Sequence, residues 1–196
     1  FFMVFSAILA VILLNVFHFS ISELFLATAV LSAIVSIYIY TLVPEFFMRF
    51  LIWIFMSFFY KVKKTHTHHI PDEGACVLVC NHVSFYDALI LATAIRRPPR
   101  FVMYHTIFNT PILGFIFRTA KAIPIAPMKE DPLLLEKAYA DIAQALKDGE
   151  IVFIFPEGRI TDNGEMYPFR SGITRILKDT PVPVIPIALR GMWGSI

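Results

Sequence analysis

The chain has 196 residues and a formal net charge of +2, with 57% hydrophobic and 16% charged residues. A soluble domain is nearer half apolar and a quarter charged, and this small basic excess, without a Lys/Arg run interleaved with aromatics, excludes a nucleic-acid partner. The apolar excess is concentrated at one end: in residues 1–60 the ionised side chains are Glu23, Glu45 and Arg49, whereas the remainder has the mix of a soluble domain. Two environments are therefore expected, a membrane region over 1–60 and a second domain over 61–196.

Residues 1–19 and 24–43 carry no charge, and each supplies the roughly 20 apolar residues of a spanning helix. No basic n-region or small-residue cleavage site marks the first run as a signal peptide. Ser-Ile-Ser-Glu23 reads as a short polar turn between the two, and Pro44 closes the second. The run 46–60 is shorter, carries Arg49 and is dense in aromatics such as Phe46, Phe50, Trp53 and Tyr60. It reads as an interfacial helix, with a short buried hairpin as the alternative. Lys61, Lys63 and Lys64 follow, and basic residues beside a membrane segment mark its cytoplasmic side. The expected orientation is first helix outward, second inward, and the domain in the cytoplasm. A chain that opens Phe-Phe-Met-Val and closes Gly-Met-Trp-Gly-Ser-Ile is expected to be part of a longer polypeptide.

From residue 71 short strands alternate with helices. ACVLVC (75–80), FVMY (101–104), AIPI (122–125), IVFIF (151–155) and VPVIPIAL (182–189) are the predicted strands. DALILATAI (87–95), PILGFIFRTA (111–120), PLLLEKAYADIAQALKDG (132–149) and FRSGITRILKD (169–179) are the predicted helices. The third of these opens after Asp131 and stops at Gly149, as a capped helix should. The expected fold class is α/β, a mixed, largely parallel sheet flanked by helices, behind N-terminal transmembrane helices and the interfacial helix. Cys76 and Cys80 would point to one face of the first strand and form no structural disulfide. His66, His68 and His69 read as a solvated linker, although His-rich loops bind metals elsewhere; no metal is expected.

Loops at strand ends carry the chemistry in such folds, and two have unusual content. Cys80-Asn81-His82-Val83-Ser84-Phe85-Tyr86-Asp87 follows a buried strand and opens a helix. The chain can fold back so that Asp87 accepts the His82 N–H, fixing the tautomer of a general base. The competing reading is a loop histidine beside a helix-capping Asp. Phe155-Pro156-Glu157-Gly158-Arg159-Ile160-Thr161 follows the strand IVFIF. Charges at the tip of a buried strand are costly unless they meet a polar ligand or each other. Gly158 allows a close backbone approach, and Arg159 offers a fork that suits phosphate. An Arg–Glu surface turn is the alternative.

Taken in order, NHVSFYD, PILGFIFRTAKAIPI, FPEGRIT and VPVIPIAL resemble the four blocks of the glycerolipid acyltransferase family, over roughly residues 65–196. The resemblance implies transfer from an acyl thioester, on acyl carrier protein or coenzyme A, to the free hydroxyl of a lysolipid. It implies His82 as general base on that hydroxyl, Asp87 as its orienting partner, and Glu157, Gly158 and Arg159 on the acceptor's phosphate side. Asn81 and Thr161, inside the same blocks, join the expected substrate-binding set. A thioester is already activated, so no cofactor is expected, and Ser84 is not needed as a nucleophile. Many members carry an Arg after the strand of the second block, where this chain has Ala126-Pro127-Met128-Lys129. Arg118, Lys121 and Lys129 are the basic residues available in its place. Gly-Arg-Ile-Thr looks more like the 2-acylglycerophosphoethanolamine acyltransferase branch, which in bacteria is fused behind a major-facilitator lysophospholipid transporter. That implies membrane lipids as partners, a fused transporter upstream and the bacterial inner membrane as location. The rival is a free-standing lysophosphatidic acid acyltransferase anchored by its own helices. A lipid-binding or transporter-associated module is the non-enzyme reading, and retention of the His, the Asp and the Glu weighs against it.

Overall fold

The computed structural model describes residues 2–16, 18–42 and 44–194. Phe1, Phe17 and Val43 of the apolar runs, and Ser195 and Ile196 at the end of the expected second domain, lie outside these. The chain divides into two compact units, residues 1–44 and 45–196.

In the first unit, helix α1 spans Phe2–Asn15 and α2 spans Ile21–Leu42. At 1.5 Å per residue α2 is about 33 Å long, enough for a hydrocarbon core of about 30 Å. Helix α1 has 14 residues, about 21 Å, so one described helix, not two, has the length to cross a membrane. The polar turn is a capping box. Ser20 N–H donates to Glu23 Oε2 at 2.8 Å, and Glu23 N–H donates to Ser20 Oγ at 3.3 Å. Two of the amides left orphaned at a helix start are thereby satisfied.

Helix α3, Pro44–Phe59, opens the second unit from its second residue onward and is one continuous helix rather than a hairpin. Proline suits a first helical position, where no N–H partner is needed. Although the sequence groups this segment with the membrane region, Met56 is 2% exposed and packs with Ile90, Ile52, Val83 and Tyr86. The other side stays bare, with Phe46, Phe50, Trp53, Phe58 and Phe59 more than half exposed.

The five predicted strands all form: β1 (Cys76–Cys80), β2 (Pro99–Tyr104), β3 (Ile123–Ile125), β4 (Ile151–Ile154) and β5 (Val184–Ile187). They make one sheet of order β3-β2-β4-β1-β5, and every pairing is parallel rather than mixed. The helices are α4 (Asp87–Ala94), α5 (His105–Phe108), α6 (Pro111–Thr119), α7 (Pro132–Lys147) and α8 (Gly172–Asp179). The short α5 has no counterpart among the predicted helices, its four residues being too few for a periodic pattern. Helix α7 is capped as expected, Asp131 Oδ1 accepting from Leu134 N–H at 2.9 Å.

Side chains alternate across a strand, and the core follows that rule. Val77 and Val152 face α7 and α8, among Ala138, Ile142 and Ile176. Cys76, Leu78, Cys80, Ile151 and Phe153 face α4, against Leu91 and Ile95. The two cysteines are free and buried on one face. Neighbouring strands β1 and β4 send their connections in opposite directions, β1 toward β2 and β4 toward β5. Parallel sheets open a crevice at the carboxyl ends of such a pair.

Arg49 ties α3 to the helix that begins with Asp87. Its Nε donates to Ala92 O at 3.0 Å, Nη1 to Arg96 O at 3.1 Å, and Nη2 to Ile95 O. These carbonyls close α4, and a cation there satisfies acceptors that the helix leaves orphaned. Arg49→Met keeps the apolar stem and removes the donors. We expect a loss of about 1.5–3 kcal/mol, the range for hydrogen bonds to a charged group, read as a lower urea midpoint in detergent. An unchanged midpoint would mean that water replaces the guanidinium at no cost.

Candidate active site

Because β1 and β4 are adjacent and in register, Val79 against Ile154, the segments leaving their carboxyl ends run side by side. His82 lies two residues beyond β1. Its Nδ1 is 2.9 Å from Asp87 Oδ2, and the same oxygen accepts from Val83 N–H at 2.7 Å and Ser84 N–H at 2.9 Å. Backbone amides are obligate donors, so Oδ2 is an acceptor and Nδ1 carries the ring proton. The lone pair is left on Nε2, the arrangement a general base needs. Asp87 is the first residue of α4 and fully buried. Its carboxylate turns back onto the loop instead of capping the helix, which removes the bland reading of that residue. The His82 ring stacks on Phe155, with centroids 4.0 Å apart and planes at 16°. Hydrogen bond and stack together fix the imidazole.

The second loop holds the backbone of His82 from both sides. Glu157 Oε1 accepts from His82 N–H at 2.8 Å, and Thr161 N–H donates to His82 O at 2.9 Å. Glu157 Oε2 accepts from Tyr167 N–H at 2.7 Å, and the residue is 2% exposed. Both carboxylate oxygens are thus engaged with main-chain amides. Glu157 is thus a brace between the two loops, where the resemblance implies a place on the acceptor's phosphate side. Thr161 is also turned inward, its Oγ1 donating toward Glu165 O at 2.6 Å. Asn81 is a second brace. Its Nδ2 donates to Leu189 O at 3.0 Å and its Oδ1 accepts from Leu189 N–H at 2.8 Å. That pair joins the His82 loop to the segment just beyond β5, and the amide is spent on it.

Arg159 remains at the surface, its guanidinium 3.7 Å above the Tyr167 ring, a cation–π contact that aims the side chain without neutralising it. Gly158 has φ +68°, and a Cβ there would sit 2.6 Å from Arg170 Nε. Arg170 Nε in turn donates to Glu157 O at 3.2 Å. Arg170 therefore belongs to this loop, a cation that the sequence reading missed because it lies outside the FPEGRIT block.

Arg118 and Lys121 are placed elsewhere. The chain enters β3 from α6, so they sit at the amino edge of the sheet. With Arg100, Asp148 and Glu150 they line a cavity of about 420 Å³. His82 sits at the carboxyl edge, about 16 Å away along a five-residue strand. These two cations are not brought to the site. At the carboxyl edge β2 ends instead in Tyr104, and His105 follows as the first residue of α5. Glu130 accepts from Tyr104 OH at 2.9 Å and lies 2.6 Å from His105 Nε2. Pro99 and Cys76 both align with Ile151, so Tyr104 is level with Asn81, two strands or about 10 Å away. Isolated polar residues at a strand end gave no pattern to find them by. Cys80, the thiol nearest His82 in sequence, is pushed up to about 12, by burial first and the Asp87 charge second. It stays protonated and is no nucleophile. Ser84 is 2% exposed, its Oγ accepting from Tyr86 N–H at 3.2 Å.

A family model described as Acyltransferase matches residues 61–190. The chain belongs to the acyltransferase family. Both loops of the site fall inside the match. A chloroplastic 1-acyl-sn-glycerol-3-phosphate acyltransferase of Brassica napus is 32% identical over 134 residues, covering 68% of this chain and 38% of that protein. The 1-acyl-sn-glycerol-3-phosphate acyltransferase of Pseudomonas aeruginosa is 30% identical over 153 residues, 76% of this chain and 57% of its own length. The chain thus spans about two fifths and somewhat over half of these two relatives. Among solved structures, the 1-acyl-sn-glycerophosphate acyltransferase PlsC of Thermotoga maritima superposes with a TM-score of 0.52 at 22% identity, covering 62% of this chain and 47% of that one. That likeness concerns the fold.

Proposed function

We propose that this chain is an O-acyltransferase that moves a fatty acyl group from a thioester to the free hydroxyl of a glycerophosphate lysolipid, 1-acylglycerol-3-phosphate being the leading acceptor. The observation that carries the reading is the His82–Asp87 contact, with Nδ1 protonated and Nε2 free to act. Nε2 takes the acceptor's hydroxyl proton, and the oxygen attacks the thioester carbonyl. The C–S bond breaks, and the departing thiolate takes the proton back from His82. A hydroxyl ionises far above neutral pH, so a base in contact is required, whereas the thioester needs no metal. Coenzyme A and acyl carrier protein both supply such a donor. The names of the relatives favour the phosphate acceptor, and Arg159 with Arg170 at the same loop would meet its charge.

A second acceptor, 2-acylglycerophosphoethanolamine, is favoured by one feature of the site edge. The Glu130 carboxylate, 41% exposed, would meet an ammonium far better than a phosphate. Its pKa is held low by its hydrogen bond from His105 first, then that from Tyr104, so it is anionic at neutral pH. This reading extends to a transporter domain upstream and to the bacterial inner membrane with the site on the cytoplasmic face. Support for it comes from the Gly158–Thr161 resemblance and from Lys61, Lys63 and Lys64.

Side-by-side turnover of the two acceptors decides between them. With the phosphate acceptor preferred, Arg159→Ala raises the acceptor KM more than the donor KM, since the contact precedes chemistry. An acceptor KM that does not move would make Arg159 structural. Preference for the ethanolamine acceptor, lost in Glu130→Gln, would establish the second reading.

A further inference from the structure

The loop that carries His82 also carries a large apolar side chain facing outward. Phe85 is 71% exposed, while Ser84 and Asp87 on either side of its turn are 2% and 0% exposed. The turn is closed by Asp87 N–H donating to Ser84 O at 3.3 Å and Tyr86 N–H donating to Ser84 Oγ at 3.2 Å. Its tip is thus held out by a buried base. Helix α3 ends against the same loop. The rings of Tyr60 and Tyr86 are 6.1 Å apart, and Val83 packs with Met56. The residues next to that contact, Phe58 and Phe59 before it and Phe85 beside it, are 82%, 67% and 71% exposed. Lys61 and Lys63 follow directly and are exposed as well.

We propose that Phe85 is a lipid-contact residue, entering the bilayer interface beside Phe58 and Phe59 and presenting His82 to an acceptor that is still in the membrane. The occupant of this face is a lipid surface on two grounds. Helix α2, long and apolar enough to span, ends at Leu42, and α3 begins two residues later at Pro44, so the start of α3 is tethered in sequence to the end of a candidate span. An aromatic ridge edged by lysines is also the pattern that headgroups and acyl chains jointly attract. Apolar side chains are favoured there over water, and the loop that they extend is the one that must reach the acceptor hydroxyl. The inference rests on the lysolipid reading above for its purpose, but lipid contact at Phe85 is measurable without turnover.

The test uses Phe85→Trp in a chain with Trp53→Phe and Trp193→Phe, reconstituted in vesicles of phosphatidylglycerol and phosphatidylethanolamine. Brominated acyl chains should quench its emission, and aqueous iodide should quench it less than in detergent. Adding His82→Ala should lower turnover by about 10² to 10⁴ and leave the quenching intact, which separates this proposal from the proposed function. Iodide quenching with no effect of bromine would overturn it. Shielding from both quenchers would do so too, since protein would then cover the face. On the activity side, Phe85→Ser should lower turnover on vesicle-borne acceptor relative to a short-chain soluble acceptor by about tenfold or more, the scale of withdrawing one Phe from an apolar phase. Equal loss on both acceptors would show that Phe85 only supports the loop, and would also overturn the proposal.

Discussion

His82→Ala is expected to lower acyl transfer by about 10² to 10⁴, the contribution of a positioned general base, with the fold and membrane association retained. The loop survives the loss of the ring. Asp87 Oδ2 keeps the amides of Val83 and Ser84, and Glu157 and Thr161 hold the backbone rather than the side chain of His82. The ring itself is 19% exposed, so its removal opens a recess at the surface rather than a void in the core. The measurement is thiol release from the acyl thioester with saturating lysolipid, alongside an unfolding midpoint. Near wild-type turnover would sink the mechanism. The unfolding midpoint shows whether a lost rate reflects chemistry or folding.

What the sequence discloses follows from how local the signal is. The strands and long helices of residues 75–187 follow hydrophobic periodicity, and each predicted one appears, because a parallel sheet covered on both faces needs continuous apolar runs. The His82–Asp87 pair is legible because both partners lie on one loop. Asn81 and Glu157 are recognisable as unusual but not as braces. Their partners are backbone amides and a carbonyl, some of them 75 and 108 residues distant, and backbone groups leave no mark on composition. The placement of Arg118 and Lys121 was open to reasoning: residues that immediately precede a parallel strand lie at its amino edge, away from the carboxyl-edge loops. The attachment of helix α3 to the domain was hard to read for the opposite reason. Its aromatic face dominates the composition, while the stripe that binds it to the domain, Arg49, Ile52 and Met56, is narrow and in part polar.

Glu157 is where the family resemblance and the geometry lead to different experiments. A carboxylate on the acceptor's phosphate side would act on KM. A carboxylate bonded to His82 N–H and Tyr167 N–H would act on the placement of the base, hence on kcat. Glu157→Gln retains one acceptor oxygen and sets an NH₂ group against one of those amides. A buried donor left unsatisfied costs about 1–3 kcal/mol, so a lower unfolding midpoint is expected. A displacement of His82 by about 1 Å would cost about 10² in rate. The expected result is therefore a kcat lowered by about 10², with an acceptor KM that barely moves. Glu157→Asp should fall in kcat as well, because a shorter side chain cannot reach both amides. Arg159→Ala supplies the contrast, its KM rising while kcat holds. A Glu157→Gln enzyme with the same split as Arg159→Ala would place the carboxylate on the acceptor after all. A variant with both constants unchanged would mean that the link from Thr161 N–H to His82 O is enough to hold the base.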